Sequence, residues 1–115
     1  MTNQFTEGDI IQGMLRGRDE SYHPIIYFGE IDSDYFHGGM ITHSNQHGNV
    51  RLNDNHFNQK INNDPRPSYF VNNKLIKKQE WGPFHKIGEL SEEGIQFINL
   101  NINGTTPQTW EDYTN

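Results

Sequence analysis

The chain has 115 residues, no cysteine, 31% hydrophobic and 12% aromatic residues, and a formal net charge of −6. That length supports one core rather than two, and the lack of cysteine excludes disulfides, thiolate nucleophiles and cysteine metal sites. The negative balance repels a polyanion at long range, which a nucleic-acid reading has to overcome.

In chain order, Met1-Thr2-Asn3-Gln4-Phe5-Thr6-Glu7 has no basic region followed by an apolar core, and no apolar run is long enough to span a bilayer. The expected setting is therefore soluble and cytoplasmic, with no membrane. Isoleucine outnumbers leucine, and phenylalanine and tyrosine are plentiful, a mixture that fits pleated sheets. Gly8-Asp9-Ile10-Ile11-Gln12-Gly13-Met14-Leu15 reads as a turn and a first strand, and Gly17-Arg18-Asp19-Glu20-Ser21 as a polar loop. His23-Pro24-Ile25-Ile26-Tyr27-Phe28 is a second strand whose consecutive apolar residues suit burial on both faces. Pro24 lacks an N–H, so it belongs at the strand's first residue, with His23 extended just outside. Asp32-Ser33-Asp34 is a turn cluster, and 35–39 leads into a third strand, Gly39-Met40-Ile41-Thr42-His43-Ser44. In an extended chain Thr42 and Ser44 share one side and His43 faces the other.

Residues 45–49 are loop-like, Val50-Arg51-Leu52 suits a short edge strand, and the Asn-rich stretch 53–66 is expected to be the least ordered internal segment. Tyr69-Phe70-Val71 and Leu75-Ile76 flank Asn72-Asn73, which fits a hairpin turn or one interrupted strand, the latter preferred. Trp81-Gly82-Pro83-Phe84 is then a turn carrying large aromatics. Ser91 is placed to cap a helix over about 92–98, with Glu92 and Glu93 at its positive end and Leu90 stapled to Ile95. Residues 1–103 make one domain and 104–115 a polar tail, in which Trp110 packs back on the domain or serves as a docking anchor.

The order of these pieces resembles the PemK/MazF family of toxin–antitoxin ribonucleases. The likeness rests on Gly8-Asp9-Ile10-Ile11 at the first strand, His23-Pro24-Ile25-Ile26 where the family has Arg-Pro, and Ile41-Thr42-His43-Ser44 where it has a strand ending in Thr or Ser. Residues 69–76 and then Lys86-Ile87-Gly88-Glu89-Leu90-Ser91-Glu92-Glu93 resemble its last long strand, closing motif and helix. The resemblance implies a mainly β fold, a small SH3-like antiparallel barrel with a C-terminal α-helix. It further implies a cytoplasmic homodimer that cuts single-stranded RNA without a metal or other cofactor and is neutralised by a cognate antitoxin. Two positions depart from the pattern: His23 stands where the family has its catalytic arginine, and Asn72-Asn73 stands where many members have an acidic residue and glutamine. An imidazole cannot replace a charge-stabilising guanidinium without changing the mechanism.

Cleavage of RNA by its own 2′-hydroxyl needs a base, an acid and donors to the phosphoryl oxygens. His23 is the first candidate for proton transfer because imidazole titrates near neutrality. Thr42 and Ser44 are candidate donors, and Arg16, Arg18 and His43 candidate substrate contacts. The competing structural readings are a hydroxyl that closes a turn and a histidine that caps a strand, and the competing functional one is an inactive binding or inhibitory module that keeps the groove. His37, His43, His47 and His56, with Asp54 nearby, have no spacing that places ligands on one helix face, so solvated histidines are the expectation and no metal site is assigned. Glu92-Glu93 and Glu111-Asp112 are adjacent rather than facing, and read as a helix cap and a solvated tail.

Overall fold

Two isoleucine pairs set the architecture. In the computed structural model, which describes residues 5–13, 24–46, 48–61, 67–71, 75–78, 84–102 and 108–109, they lie on β1 (Asp9–Gly13) and β2 (Ile25–Glu30). Neighbouring residues of a strand face opposite ways, so such a pair stays dry only if both faces are covered. That is the case: Ile10 and Ile26 join one apolar cluster with Ile41, Leu52, Phe70, Ile87, Leu90, Ile98 and Ile102, whereas Ile11 and Ile25 join a second with Tyr27 and Phe36. Phe5 and Phe84 pack on the second cluster.

The remaining elements are β3 (Tyr35–Thr42), β4 (Val50–Leu52), a 3-10 turn (Asp54–His56), β5 (Phe57–Gln59), β6 (Ser68–Phe70), β7 (Leu75–Lys78), β8 (Phe84–Leu90), α1 (Glu92–Ile102) and β9 (Gln108–Thr109). The main path of the sheet runs β4-β6-β3-β2-β1-β8-β5, antiparallel throughout. Its outermost strands, β4 and β5, are separated in the chain only by 53–56. The two ends of a seven-strand path cannot lie that close unless the sheet curls back on itself, so the connectivity alone requires a barrel-like curl. α1 lies on the inner side of the curl, where Ile98 and Ile102 enter the first cluster. The mainly β, curled antiparallel architecture with a C-terminal helix, the one α-helix among the described residues, thus follows expectation, and no helix among those residues is long and apolar enough to cross a membrane.

β6 and β7 both run antiparallel to the same edge of β3. Phe70 pairs with Ile41 and Leu75 with Gly38, so two extra residues sit on the β6–β7 side. Of the two sequence readings, one interrupted strand is therefore the one adopted; Asn72 and Asn73 themselves lie outside the described residues. A second irregularity occurs where β2 meets β3: the register slips between Tyr27 and Gly29, and Phe28 turns its ring onto Phe70, edge to face at 6.5 Å. Both rings fill the space above Gly39, where an added Cβ would stand 2.5 Å from Phe70 and 2.9 Å from Phe28.

Three expectations are corrected. Within the stretch 53–66, residues 53–61 form regular structure, because the His56 ring stacks on Phe97 at 4.3 Å and accepts the Asn53 N–H at Nδ1 (3.0 Å), while Phe57 and Ile61 pack on the core; residues 62–66 lie outside the described residues. The helix runs on to Ile102 rather than stopping near Ile98, since Ile102 still reaches the core. Thr42 and Ser44 do not alternate along a strand, because β3 ends at Thr42 and the chain bends at His43. In the tail, Gln108 and Thr109 pair in parallel with Leu75 and Ile76; Trp110 and Trp81 lie outside the described residues.

Candidate nucleic-acid interface

The C-terminal end of β3 is where the sequence-selected polar residues meet the sheet. Ile41 donates its N–H to the carbonyl of Pro24 at 2.9 Å, so the entry to β2 lies beside the exit from β3. His23, Arg16 and Arg18 lie outside the described residues; His23 is bonded to Pro24, and Thr42 to Ile41.

Beyond Thr42 the loop is closed by its own polar side chains. Thr42 Oγ1 accepts the Ser44 N–H at 3.3 Å, Ser44 Oγ accepts the Gln46 N–H at 3.2 Å, and Asn49 Nδ2 donates to the Ser44 carbonyl at 2.9 Å. These bonds use one acceptor site of each hydroxyl and leave its O–H as a donor. The His43 ring reaches across to Pro67, with Nδ1 2.9 Å from the carbonyl oxygen. A carbonyl only accepts, so Nδ1 carries the proton and Nε2 is the lone-pair nitrogen of the neutral ring. His43 is exposed, and Thr42 and Ser44 are half-buried.

Two residues that the sequence reading passed over belong to the same place. Thr42 pairs with Tyr69 and Tyr69 with Arg51, so the three form one row across β3, β6 and β4. Their chain neighbours Ile41, Phe70 and Leu52 point into the first apolar cluster, which puts the row on the opposite, outer face. Arg51 is exposed and Tyr69 half-buried. The alternation in Val50-Arg51-Leu52 and Ser68-Tyr69-Phe70 was visible in sequence; the register that lines the two segments up with Thr42 was not.

A second polar group lies where β1 meets β8. Asp9 and Glu89 face each other in register, and Lys86 Nζ sits between them, 3.2 Å from Asp9 and 2.6 Å from Glu89. Asp9 is only 6% exposed, and its other oxygen accepts the Thr6 N–H at 3.0 Å. The hydrogen bonds to Glu89 and then Asp9 push the Lys86 ammonium above its ordinary range, and those from Lys86 and Asn58 hold the Glu89 carboxyl below its own. With both carboxylates bound to one cation, this group ties two strands together. At the rim, Lys60 at 2.9 Å holds the Asp54 carboxyl below its usual value.

Among the described residues no three His, Asp or Glu side chains converge on a point that could hold a metal ion. His47 lies outside them, and His56 is buried against Phe97. No protein-family model matches the chain, and no curated protein matches it.

Proposed function

We propose that the chain is a toxin-like endoribonuclease of the PemK/MazF kind, cutting single-stranded RNA without a metal at the exit of β3. The observation that carries this reading is the Pro24–Ile41 backbone bond: it sets the entry to β2, where the resemblance puts the catalytic position His23, against the strand end that bears Thr42. An imidazole here accepts the proton of the 2′-hydroxyl as that oxygen attacks phosphorus. The P–O5′ bond breaks, the leaving oxygen takes a proton from a second acid, and a 2′,3′-cyclic phosphate remains. The O–H groups of Thr42 and Ser44 donate to the phosphoryl oxygens as charge builds on them, and His43 in its imidazolium form, with Nδ1–H kept on the Pro67 carbonyl, is the ring suited to give the leaving oxygen a proton from Nε2. Arg16 and Arg18 supply charge from the β1–β2 connection. The assembly that goes with this reading is a cytoplasmic homodimer neutralised by an antitoxin protein.

A second reading has its own support. Both hydroxyl oxygens already accept backbone N–H groups, as loop-closing residues do, which favours an inactive module acting through protein contacts. Incubation with single-stranded RNA and a chelator separates the two. The ribonuclease gives cyclic-phosphate ends, and His23→Ala lowers the rate roughly 10²–10⁴-fold, the usual span for losing an acid or base. Intact RNA after prolonged incubation assigns the module. His23→Arg refines the result, since arginine stabilises charge but does not exchange its proton: restored activity would mean that position 23 acts electrostatically.

A further inference from the structure

We infer that Tyr69 and Arg51 form, with Thr42, a binding strip for single-stranded nucleic acid, in which the Tyr69 ring carries an unpaired base and Arg51 holds an adjoining phosphate. This deepens the ribonuclease reading and rests on it for the identity of the ligand. The strip itself comes from the sheet register. The three residues occupy one row on the outer face, and with strands about 4.8 Å apart the row spans about 10 Å, within reach of one nucleotide and its neighbour.

The chemistry of the row is one-sided. Arg51 brings five N–H donors in a planar fork, and Thr42 and Tyr69 each bring an O–H, with no carboxylate in the row. Among the described residues no hydrogen bond or ion pair occupies the Arg51 guanidinium, and Asp54, the acid whose carboxylate feels its charge, is held by Lys60. Tyr69 is half-buried, so part of its ring already lies against the protein and it has less freedom to lose on binding than a fully exposed side chain. A flat ring beside an open guanidinium suits a base and its phosphate; an acidic peptide would engage Arg51 and leave the ring unused. The net charge of −6 does not prevent this, because in physiological salt charges act over about 8 Å. It does forbid strong long-range steering, so the ring has to supply much of the affinity.

The test is binding of a labelled 2′-O-methyl oligonucleotide, which has no free 2′-hydroxyl and cannot be cut, to the full chain by fluorescence anisotropy. Tyr69→Ala is expected to weaken binding roughly 5- to 150-fold, the span for losing one stacked base, and Tyr69→Phe to keep it. Arg51→Gln is expected to weaken binding and to reduce the slope of log affinity against log salt by about 0.7, one phosphate contact on a single strand. Arg51 is exposed, so that variant tests the strip even where Tyr69→Ala fails to fold. Wild-type affinity and salt slope in both variants would overturn the inference, as would absence of wild-type binding or a preference for a poly-glutamate peptide. Cleavage of unmodified RNA is scored separately. A chain that binds through Tyr69 but leaves RNA intact upholds the strip and overturns the ribonuclease; one that cuts RNA with both variants unimpaired in binding does the reverse.

Discussion

Gly39 shows how far one residue can constrain this fold. It lies on β3 opposite Ile26, under the edge-to-face pair of Phe28 and Phe70, and a methyl group there would overlap both rings. A β-strand gains from replacing glycine, because the unfolded chain then loses less freedom, but that gain is under about 1 kcal/mol. Overpacking a filled core costs about 1–3 kcal/mol, so the clash wins. Gly39→Ala should therefore lower the urea midpoint with an unchanged slope, a net loss of about 1–2 kcal/mol. An equal or higher midpoint would mean that the two rings move aside freely. Thr42 and Ser44 make a different point at the same scale: their hydroxyls accept the Ser44 and Gln46 N–H groups, which is the turn-closing alternative that local sequence offered for them, while the Asn49 bond to the Ser44 carbonyl that closes the loop was not legible.

At the scale of elements, α1 is held at its start by one side chain. Ser91 Oγ accepts the Gly94 N–H at 3.0 Å and donates to the Asn55 carbonyl at 2.7 Å, while its own N–H reaches the His56 carbonyl at 2.9 Å. Glu93 adds a bond from Asn55. The serine thus caps the helix and pins the 3-10 turn to it. Ser91→Ala is expected to cost about 1–2 kcal/mol, at or above the typical capping loss, and to speed amide exchange in both α1 and 53–59; faster exchange confined to α1 would show that the turn is held without it. The helix start was legible because a cap followed by acids and then apolar residues is a local signal. The strands β1 to β3 were legible because isoleucine pairs and the Asp32 turn, whose Oδ1 accepts the Asp34 and Tyr35 N–H groups at 2.8 and 2.9 Å, are local as well. Residues 53–61 were misread because their order comes from His56 stacking on Phe97, a partner far along the chain. Arg51 and Tyr69 were missed at the site for the same reason, since registers between distant strands are set by tertiary packing.

For the whole molecule, the β1–β8 seam predicts how stability depends on pH. Glu89 has a folded-state carboxyl below its ordinary value near 4.5, so its contribution is full above that pH and is lost as pH falls through the folded value. Lys86 is raised above its ordinary 10.5, so its contribution is full below that pH and is lost as pH rises through the folded value. Both groups are exposed enough for salt to screen them. Other residues titrate in the same ranges, and the Asp54–Lys60 pair contributes an acid limb of its own, so the informative quantity is the difference between wild type and Lys86→Met. Removing the cation leaves Asp9 and Glu89 facing each other in register as like charges, a repulsion that protonation of Glu89 relieves. The difference in melting temperature should therefore be largest between about pH 5 and 10, shrink below about pH 4 as Glu89 protonates, shrink again above about pH 11 as Lys86 loses its charge, and diminish in high salt at neutral pH. Thermal melts from about pH 3 to 12 measure it, and parallel curves across that range would show that the seam is held by its backbone ladder and the flanking isoleucines, with Lys86 a bystander.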